Sequence, residues 1–306
     1  MSNVTVSAYA KINAYLEVTG RLENGYHTIL SHMQAVTLCD TLTLTLSPSV
    51  SPFAVSLRCD DPNLACDDTN LVCRAARALA DALSARGEMP HVSLAVELQK
   101  RIPMAAGLAG GSADAAATLR GFNELLGHPF STDTLCRIGA RLGADIPFCI
   151  RSHETGAMTA RGIGELLTAA PSLPAELYLV IACHGEGVST PWAYSRLDAL
   201  SQTDVETAEK GYERFLAALE RGNVQALAAH SVNCFERVVL PEREAVGMLM
   251  TAMRESGAAL VRMSGSGPSV VGMFTEETQA RRCAEALTEK GIRAVVCRPI
   301  SAKHNA

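Results

Sequence analysis

A glycine-rich segment near the middle of the chain has the residue types of a phosphate-binding loop. Gly107, Gly110 and Gly111 would let a polyphosphate approach the backbone. They precede a predicted helix over 112–126, and a helix N-terminus has unpaired N–H groups and partial positive charge. Ser112 falls near the first turn of that helix. The whole segment consists of Pro103, Met104, Ala105, Ala106, Gly107, Leu108, Ala109, Gly110, Gly111, Ser112 and Ala113.

The segment matches neither of two common nucleotide-binding motifs. A Walker A loop closes with Gly-Lys-Ser/Thr, and no lysine lies within this segment. The G-x-G-x-x-G spacing of a Rossmann fingerprint is also missing. A plain helix-entry loop would use the same glycines, because glycine often only marks a turn. The residues alone therefore leave a phosphate site and a structural loop as alternatives.

Two further short segments combine turn signals with side chains that could do chemistry. Glu23-Asn24-Gly25 predicts a chain reversal, and Tyr26 and His27 follow it directly. A hairpin turn followed by a strand aromatic explains these residues without a ligand. Asp145 stands in a predicted turn over 143–147, where Pro147 is expected to force the preceding residue out of helical geometry. An aspartate here can simply cap a turn.

Hydrophobic periodicity predicts the elements that position these residues. The stretch 41–46 alternates threonine and leucine as a half-buried strand does. Asp67, Asp68 or Thr69 is predicted to cap the helix that follows. Strands are predicted within 4–18 and 28–58, and at 91–98, 177–183 and 269–274. Helices are predicted at 71–85, 112–126, 132–142, 204–229, 242–255 and 276–290. Because strands and helices do not form a regular βαβ repeat, an α+β fold is favoured over a doubly wound sheet.

Composition restricts the class of protein. The chain has 306 residues, which suggests two domains, and we place the boundary near residue 152. With 27 basic and 32 acidic residues, the net charge of −5 offers no bulk attraction for nucleic acid or an anionic membrane. No apolar window of about 18 residues predicts a membrane span, and no signal peptide is visible. We expect a soluble cytoplasmic protein.

The ten cysteines do not indicate a metal or disulfide framework. They are scattered from Cys39 to Cys297, and no C-x-x-C pair occurs among them. Zinc sites and disulfide scaffolds both depend on closer, regular spacing. We interpret these residues as reduced, small apolar side chains.

Four segments together resemble the GHMP kinases, a family that includes galactokinase and the homoserine, mevalonate and phosphomevalonate kinases. The segments are Ala10-Lys11-Ile12-Asn13, the loop 103–113, the turn 143–147, and Ser264-Gly265-Ser266-Gly267-Pro268. This chain is similar to the family in two features: a Pro-x-x-x-Gly-Leu-x-Gly-Gly-Ser segment, which is a phosphate loop in the family, and a second glycine-rich turn near the C-terminus.

Within that family, the chain resembles most closely the kinases that act on 4-diphosphocytidyl-2-C-methyl-D-erythritol. The likeness begins with AYAKINAYLEVTGRLENGYHTILSHMQAV at residue 8 and continues through NLV at Asn70, GADIPF at Gly143, RGIGE at Arg161, the proline–aromatic segment after Ser189, and MSGSGPSVVGMF at Met263. It therefore covers nearly the whole chain in order. Any one motif could arise by chance, whereas their joint occurrence is specific.

The resemblance implies a two-domain GHMP kinase architecture. Residues 1–152 would form an ATP-binding domain like domain 2 of ribosomal protein S5. Residues 153–306 would form a substrate-binding, ferredoxin-like α/β sandwich. The implied activity is ATP-dependent phosphorylation of the substrate's 2-hydroxyl in the non-mevalonate route to isoprenoid precursors, with Mg²⁺ accompanying ATP. The expected partners are ATP and the small cytidine diphosphate substrate, and the protein could be a monomer or a homodimer.

The resemblance also assigns residue roles. Asp145 would accept or orient the proton of the substrate hydroxyl, while Lys11 would keep that carboxylate ionised. Asn13 would contact the substrate, Tyr26 would stack against the cytosine, and His27 would hydrogen-bond the edge of the base. The loop 103–113 would bind ATP, and Ser112 is the one candidate ligand for the metal. Asn70, Leu71 and Lys100 resemble positions near the adenine.

The loop departs from the family pattern at three positions. Such enzymes typically read Gly-Ala-Gly-Leu-Gly-Gly-Gly-Ser-Ser where this chain has alanine at 105, 109 and 113. Ala105 and Ala109 add a methyl group where the backbone approaches phosphate, and Ala113 removes a hydroxyl. Two rival functions remain: a GHMP kinase acting on homoserine, shikimate or mevalonate, and a catalytically silent ATP- or metabolite-binding regulator with the same fold.

Overall fold

Two long paired strands, β1 (Ser2–Arg21) and β2 (His27–Pro48), begin the chain in the computed structural model, which describes residues 1–88, 91–200 and 203–301. The predicted reversal between them is confirmed. Gly25 has a φ of 86°, and its N–H donates to the Leu22 carbonyl at 2.9 Å. Glycine adopts this left-handed conformation without a Cβ clash. The first predicted short strands are one continuous strand, β1.

The remaining elements mix strands and helices, which confirms the predicted α+β class. The other strands of the described ranges are β3 (Ala54–Cys59), β4 (Val92–Gln99), β5 (Ala157–Arg161), β6 (Leu166–Ala169), β7 (Tyr178–Cys183), β8 (Leu260–Met263), β9 (Val270–Phe274) and β10 (Arg293–Cys297). The helices are α1 (Leu71–Ser84), α2 (Gly110–Leu125), α3 (Thr132–Ala140), α4 (Ile146–Thr155), α5 (Thr190–Asp198), α6 (Val205–Glu220), α7 (Val224–His230), α8 (Glu236–Val239), α9 (Glu244–Glu255) and α10 (Glu277–Glu289).

The chain divides into two compact units that do not follow chain order. Unit 1 consists of Met1–Ala10, Cys39–Ile102 and Ala109–Arg151, and unit 2 consists of Lys11–Leu38, Pro103–Leu108 and Ser152–Ala306. Strands β1 and β2 contribute to both units, as does the glycine-rich loop. These units group residues by their contacts and not by chain order. The division into domains 1–152 and 153–306, which follows chain order, therefore stays a prediction.

Unit 1 is built from a sheet covered by helices. The second half of β2 pairs antiparallel with β4, and β3 pairs parallel with β4. The alternation is confirmed over 41–45, because Leu42 and Leu44 are fully buried while Thr41, Thr43 and Thr45 are half-buried; Leu46, near the strand end, is also half-buried. Helix α2 packs closely here: a Cβ on Gly121 would lie 2.9 Å from Val6 Cγ2. Small helix residues therefore allow α2 to approach the strands.

Unit 2 contains a four-stranded antiparallel sheet in the order β10-β7-β9-β8. The first half of β2 pairs with β5, which pairs in turn with β6. The predicted C-terminal order of strand, glycine turn, strand, helix and strand is confirmed by β8, β9, α10 and β10. The predicted strand at 177–183 is confirmed as β7.

Several element boundaries differ from the sequence prediction. Asn70, and none of the three predicted residues, caps α1: its side chain accepts from the Val72 N–H at 2.9 Å.

The turn over 143–147 leads directly into α4, which was not predicted. Pro147 is the second residue of that helix, where the first-turn N–H groups have no helical partner, so proline is tolerated. The predicted helix 204–229 is two helices, separated at Gly222 with its φ of 62°. Helices α5 and α8 and strands β5 and β6 were not predicted.

Two expectations from composition can be compared with the described ranges. No disulfide joins any of the ten cysteines, as expected. None of the helices described is both long and apolar enough to cross a bilayer.

Candidate functional site

The second half of the glycine-rich loop, in unit 1, leads into helix α2. The first N–H groups of this helix make no intrahelical hydrogen bond. The first intrahelical bond joins the Ala113 N–H to the Ala109 carbonyl at 2.9 Å, so the N–H groups of Gly110, Gly111 and Ser112 precede it. Ala109 is the N-cap residue, adopts a left-handed φ of 56°, and supplies no side-chain cap. The helix therefore presents backbone donors of the kind that bind phosphate.

The first half of the loop, in unit 2, contacts the second glycine-rich turn. A Cβ on Gly107 would lie 2.1 Å from the Ser264 carbonyl oxygen, and the Ser264 hydroxyl donates to the Gly107 carbonyl at 3.0 Å. Asn233 Nδ2 fixes the turn by donating to the carbonyls of Met263 and Gly265, at 2.7 and 2.9 Å. The sequence predicted both glycine segments but missed Asn233, which lies in a short loop with no periodic signal.

Lys11 and Asn13 form a buried polar chain in unit 2. The Lys11 N–H donates to the Leu108 carbonyl at 3.1 Å, which ties strand β1 to the loop. Its ammonium donates to Asn13 Oδ1 at 2.7 Å, and Asn13 Nδ2 donates to Ser31 Oγ at 2.8 Å. Lys11 is only 5% exposed. Lys11 is therefore not a surface lysine whose ammonium reaches solvent, because hydrogen bonds hold this charge inside the protein.

Asp145 lies in unit 1, immediately before helix α4. Its carbonyl accepts the Cys149 N–H at 3.1 Å, and the residue is half-buried. A Cβ on Gly143 would lie 3.8 Å from Ser112 Oγ. The turn that carries Asp145 and the first turn of α2 are therefore neighbours, as two parts of one polar site would need to be.

Tyr26 and His27 differ in their surroundings. Tyr26 is 59% exposed on the hairpin turn. His27 is the first residue of β2, and its Nε2 lies 2.6 Å from Asp198 Oδ1. Its ring stacks on Tyr194, with centroids 4.4 Å apart. The sequence missed both partners, although Tyr194 and Asp198 have the i, i+4 spacing that places two side chains on one helical face.

A buried charge cluster lies beneath the start of α2 in unit 1. The Lys100 ammonium donates to Asp114 Oδ2 at 2.8 Å and also to Asp40, while Asp40 accepts the Ile102 N–H at 2.8 Å. Burial raises the pKa of Asp114, the Lys100 charge lowers it, and the Asp40 carboxylate raises it further. Lys100 resembles a position near adenine, and its charge is already engaged by these two carboxylates.

The described residues contain no group of three or more histidine, cysteine, aspartate or glutamate side chains that could hold a metal ion. Ser112, the predicted ligand, is a single hydroxyl in the first turn of α2. A magnesium ion bound with ATP can take most of its ligands from phosphate and water. The donor set around the loop therefore fits a metal that arrives with the nucleotide.

Comparison with known proteins matches the chain over nearly its full length. The family models described as GHMP kinases N terminal domain and GHMP kinases C terminal match residues 70–153 and 215–293. A protein named 4-diphosphocytidyl-2-C-methyl-D-erythritol kinase from Moorella thermoacetica is 38% identical over 304 residues, covering 98% of this chain and 100% of the relative. Its namesake from Geobacter metallireducens is 36% identical, covering 94% of this chain and 95% of the relative.

Solved structures give the same result at the level of the fold. A crystal structure of 4-(cytidine 5'-diphospho)-2C-methyl-D-erythritol kinase matches with a TM-score of 0.76 and 30% identity, covering 96% of this chain and 98% of that one. The mevalonate kinase of L. major matches with a TM-score of 0.72 at 15% identity, covering 98% and 97%. The second likeness concerns the fold alone, whereas the first is accompanied by sequence identity along the whole length.

Proposed function

This chain belongs to the 4-diphosphocytidyl-2-C-methyl-D-erythritol kinases of the GHMP kinase family, and on that premise we propose how its residues perform the reaction. The enzyme transfers the γ-phosphoryl group of ATP to the 2-hydroxyl of 4-diphosphocytidyl-2-C-methyl-D-erythritol, giving ADP and the 2-phosphate. The observation that carries the residue assignment is the bond from the Lys11 N–H to the Leu108 carbonyl, which ties a buried lysine to the glycine-rich loop.

The residues of the loop and its neighbours have separate roles in this proposal. The loop 103–113 binds the phosphates of ATP through the unused N–H groups at the start of α2. Asp145 accepts or orients the proton of the substrate hydroxyl, and Lys11 is the cation that assists it. Asn13, which holds the Lys11 ammonium at 2.7 Å, keeps that charge in place beside the substrate.

ATP brings Mg²⁺, which neutralises charge on the β- and γ-phosphate oxygens when bound. Ser112 Oγ is the protein group that would contact it. Tyr26 and His27 bind the cytosine end of the substrate, with the exposed Tyr26 ring free to stack on the base.

Replacing Asp145 tests the proton-transfer role. We expect Asp145→Asn to lower kcat at least roughly a hundredfold, the lower range for general base catalysis, while the Kd for ATP changes little. Asp133→Asn is the matched control, since Asp133 is an exposed aspartate of unit 1 that pairs with Arg151. The measurement is ADP release under substrate saturation. Near-normal turnover by Asp145→Asn would remove this residue from the mechanism.

A substrate panel tests the activity itself. Purified protein with Mg-ATP is offered 4-diphosphocytidyl-2-C-methyl-D-erythritol, its cytidine-free 4-phosphate, homoserine, shikimate and mevalonate. Selective turnover of the cytidine compound is expected. Turnover of another alcohol would retain the kinase chemistry and discard the roles of Tyr26 and His27. ATP binding without turnover of any alcohol would favour a silent regulator.

A further inference from the structure

Ser31 completes a row of three hydrogen bonds that begins at the Lys11 ammonium. This ammonium donates to Asn13 Oδ1 at 2.7 Å, and Asn13 Nδ2 donates to Ser31 Oγ at 2.8 Å. The Ser31 hydroxyl in turn donates to the Tyr15 carbonyl at 2.8 Å. Ser31 lies on β2 and is fully buried, whereas the other three residues lie on β1. Strand β2 therefore holds the side chain of one β1 residue and the backbone of another.

The two ends of this row fix the direction of every hydrogen bond in it. An ammonium only donates hydrogen bonds, and a backbone carbonyl only accepts them. The Tyr15 carbonyl therefore uses the hydrogen of the Ser31 hydroxyl, which leaves Oγ as an acceptor for Asn13. The Asn13 carboxamide then has one orientation that satisfies both neighbours, with its oxygen towards Lys11 and its NH₂ group towards Ser31. The reversed carboxamide would place its NH₂ group against the ammonium.

The second glycine-rich turn confines the Asn13 carboxamide from another side. A Cβ on Gly265 would lie 3.6 Å from Asn13 Oδ1 and 3.2 Å from the Gly107 carbonyl oxygen. Asn13 is only 4% exposed, so solvent is a poor substitute for its protein partners. A buried donor that loses its partner bears the full cost of desolvation. Ser31 is therefore the group that keeps this carboxamide in its place beside Lys11.

We propose that Ser31 is a positioning residue for phosphoryl transfer: its hydroxyl orients the Asn13 carboxamide and, through it, the Lys11 ammonium. This inference rests on the proposed function, because it deepens the roles given there to Lys11 and Asn13. Ser31 acts through Asn13 and needs no contact of its own with the substrate. Its loss should therefore slow the chemical step. The binding of ATP should stay as it is, since the backbone donors at the start of α2 belong to a different segment.

The first test separates turnover from nucleotide binding. We expect Ser31→Ala to lower kcat roughly 10- to 100-fold, because a displacement of about 1 Å at a catalytic group can cost about a hundredfold. The KM for ATP should stay near its wild-type value. The measurement is ADP release from Mg-ATP with saturating 4-diphosphocytidyl-2-C-methyl-D-erythritol. An unchanged kcat, with or without a rise in the KM for ATP, would overturn the proposal.

Two further substitutions at the same position separate the hydroxyl from the space that it fills. Ser31→Cys has nearly the same shape, but its sulfur is only a weak acceptor, so it should recover little of the lost kcat. Ser31→Thr keeps the hydroxyl and should recover most of it. Full recovery by Ser31→Cys would mean that volume is what matters at this position, which would overturn the proposal.

A double substitution tests whether Ser31 acts through Asn13. Asn13→Ala alone should lower kcat. Adding Ser31→Ala should lower it no further, because the carboxamide that Ser31 orients is already gone. Two losses of kcat that multiply would show that the residues act independently of each other, which would overturn the proposal.

Ser231→Ala is the matched control. Ser231 is a buried serine, 1% exposed, whose hydroxyl donates at 2.7 Å to the Ala14 carbonyl, also on β1. Its loss should lower the free energy of unfolding and leave kcat at the wild-type value. Equal losses of kcat in Ser31→Ala and Ser231→Ala would make the role of Ser31 merely structural, and would overturn this inference while the kinase function stands. No turnover of the cytidine substrate by the wild type would overturn the inference together with the proposed function.

Discussion

Ala105 and Ala109 occupy backbone conformations that glycine adopts more easily. Their φ angles are 50° and 56°, and both stand where the family pattern quoted in the sequence analysis has glycine. For residues with a Cβ, the left-handed region costs about 1–2 kcal/mol. Two of the three departures noted in the sequence are therefore positions of backbone strain in the glycine-rich loop.

Ala109→Gly should stabilise the protein. Removing the left-handed strain gains about 1–2 kcal/mol, and the greater freedom of glycine in the unfolded chain offsets about 0.4–1 of this. We expect a net increase of about 0.5–1 kcal/mol in the free energy of unfolding, measured in urea. The control is Ala113→Gly, within the regular helix, which should lose about 1 kcal/mol or more. Destabilisation by both variants would show that Ala109 is unstrained.

At the scale of elements, contacts between segments that are distant in sequence position the residues of the candidate site. Ser264 donates to the Gly107 carbonyl across 157 residues of sequence. Each segment was predictable as a glycine turn from its own residues. Their contact was not, because spacing along one chain does not encode which turns meet. Helix α4 was missed for a related reason: Pro147 was interpreted as a break, whereas the first helical turn tolerates proline.

The cluster of Lys100, Asp40 and Asp114 joins the interior of β2 and the end of β4 to helix α2, and its loss should loosen all three. Lys100→Met leaves two carboxylates buried without a cation, which costs about 3–5 kcal/mol of the free energy of unfolding. Urea unfolding measures the loss. Adding Asp114→Asn to Lys100→Met should recover part of it, because one of the two buried charges is then removed.

The matched control for this cluster is Lys210→Met, an exposed lysine paired with Glu206 on α6. It should change the free energy of unfolding by about 0.5 kcal/mol or less. An equally small loss from Lys100→Met would mean that the cluster's attraction only balances the cost of burying its charges.

At the scale of the whole molecule, the sequence predicted the α+β class and the family, and it did not predict which residues make up each compact unit. The alternating segment 41–46 and strand β7 follow from period and composition, which are local properties. The assignment of residues 11–38 to the same unit as the C-terminal half could not be predicted. Strand β1 has 20 residues, far longer than the usual strand, so it serves both units.

The buried His32 should make folding of the molecule sensitive to acid. Its Nδ1 lies 3.1 Å from the Tyr212 hydroxyl, its ring packs 5.1 Å from that of Phe215, and burial lowers its pKa from 6.5 to about 4. The folded state thus binds this proton less readily than the unfolded state. The stability it contributes is complete above pH 6.5 and is lost as the pH falls towards 4, by about 3 kcal/mol at 1.36 kcal/mol per unit.

His32→Phe removes the titrating group and keeps an aromatic ring against Phe215. At pH 8 the free energy of unfolding should fall by about 1 kcal/mol, because the hydrogen bond from His32 to Tyr212 is lost. The hydrogen bond between Thr159 and Tyr212, at 2.6 Å, is retained. Below pH 5 the variant should be more stable than the wild type, because the unfolded state no longer gains a proton at this position. Urea unfolding at pH 4.5 and 8 measures both values.

His91→Phe, at an exposed histidine, is the control. It should leave the difference in the free energy of unfolding between pH 4.5 and pH 8 as it is in the wild type. If His32→Phe loses the same stability on acidification as the wild type, other groups cause the acid sensitivity and His32 is not its source.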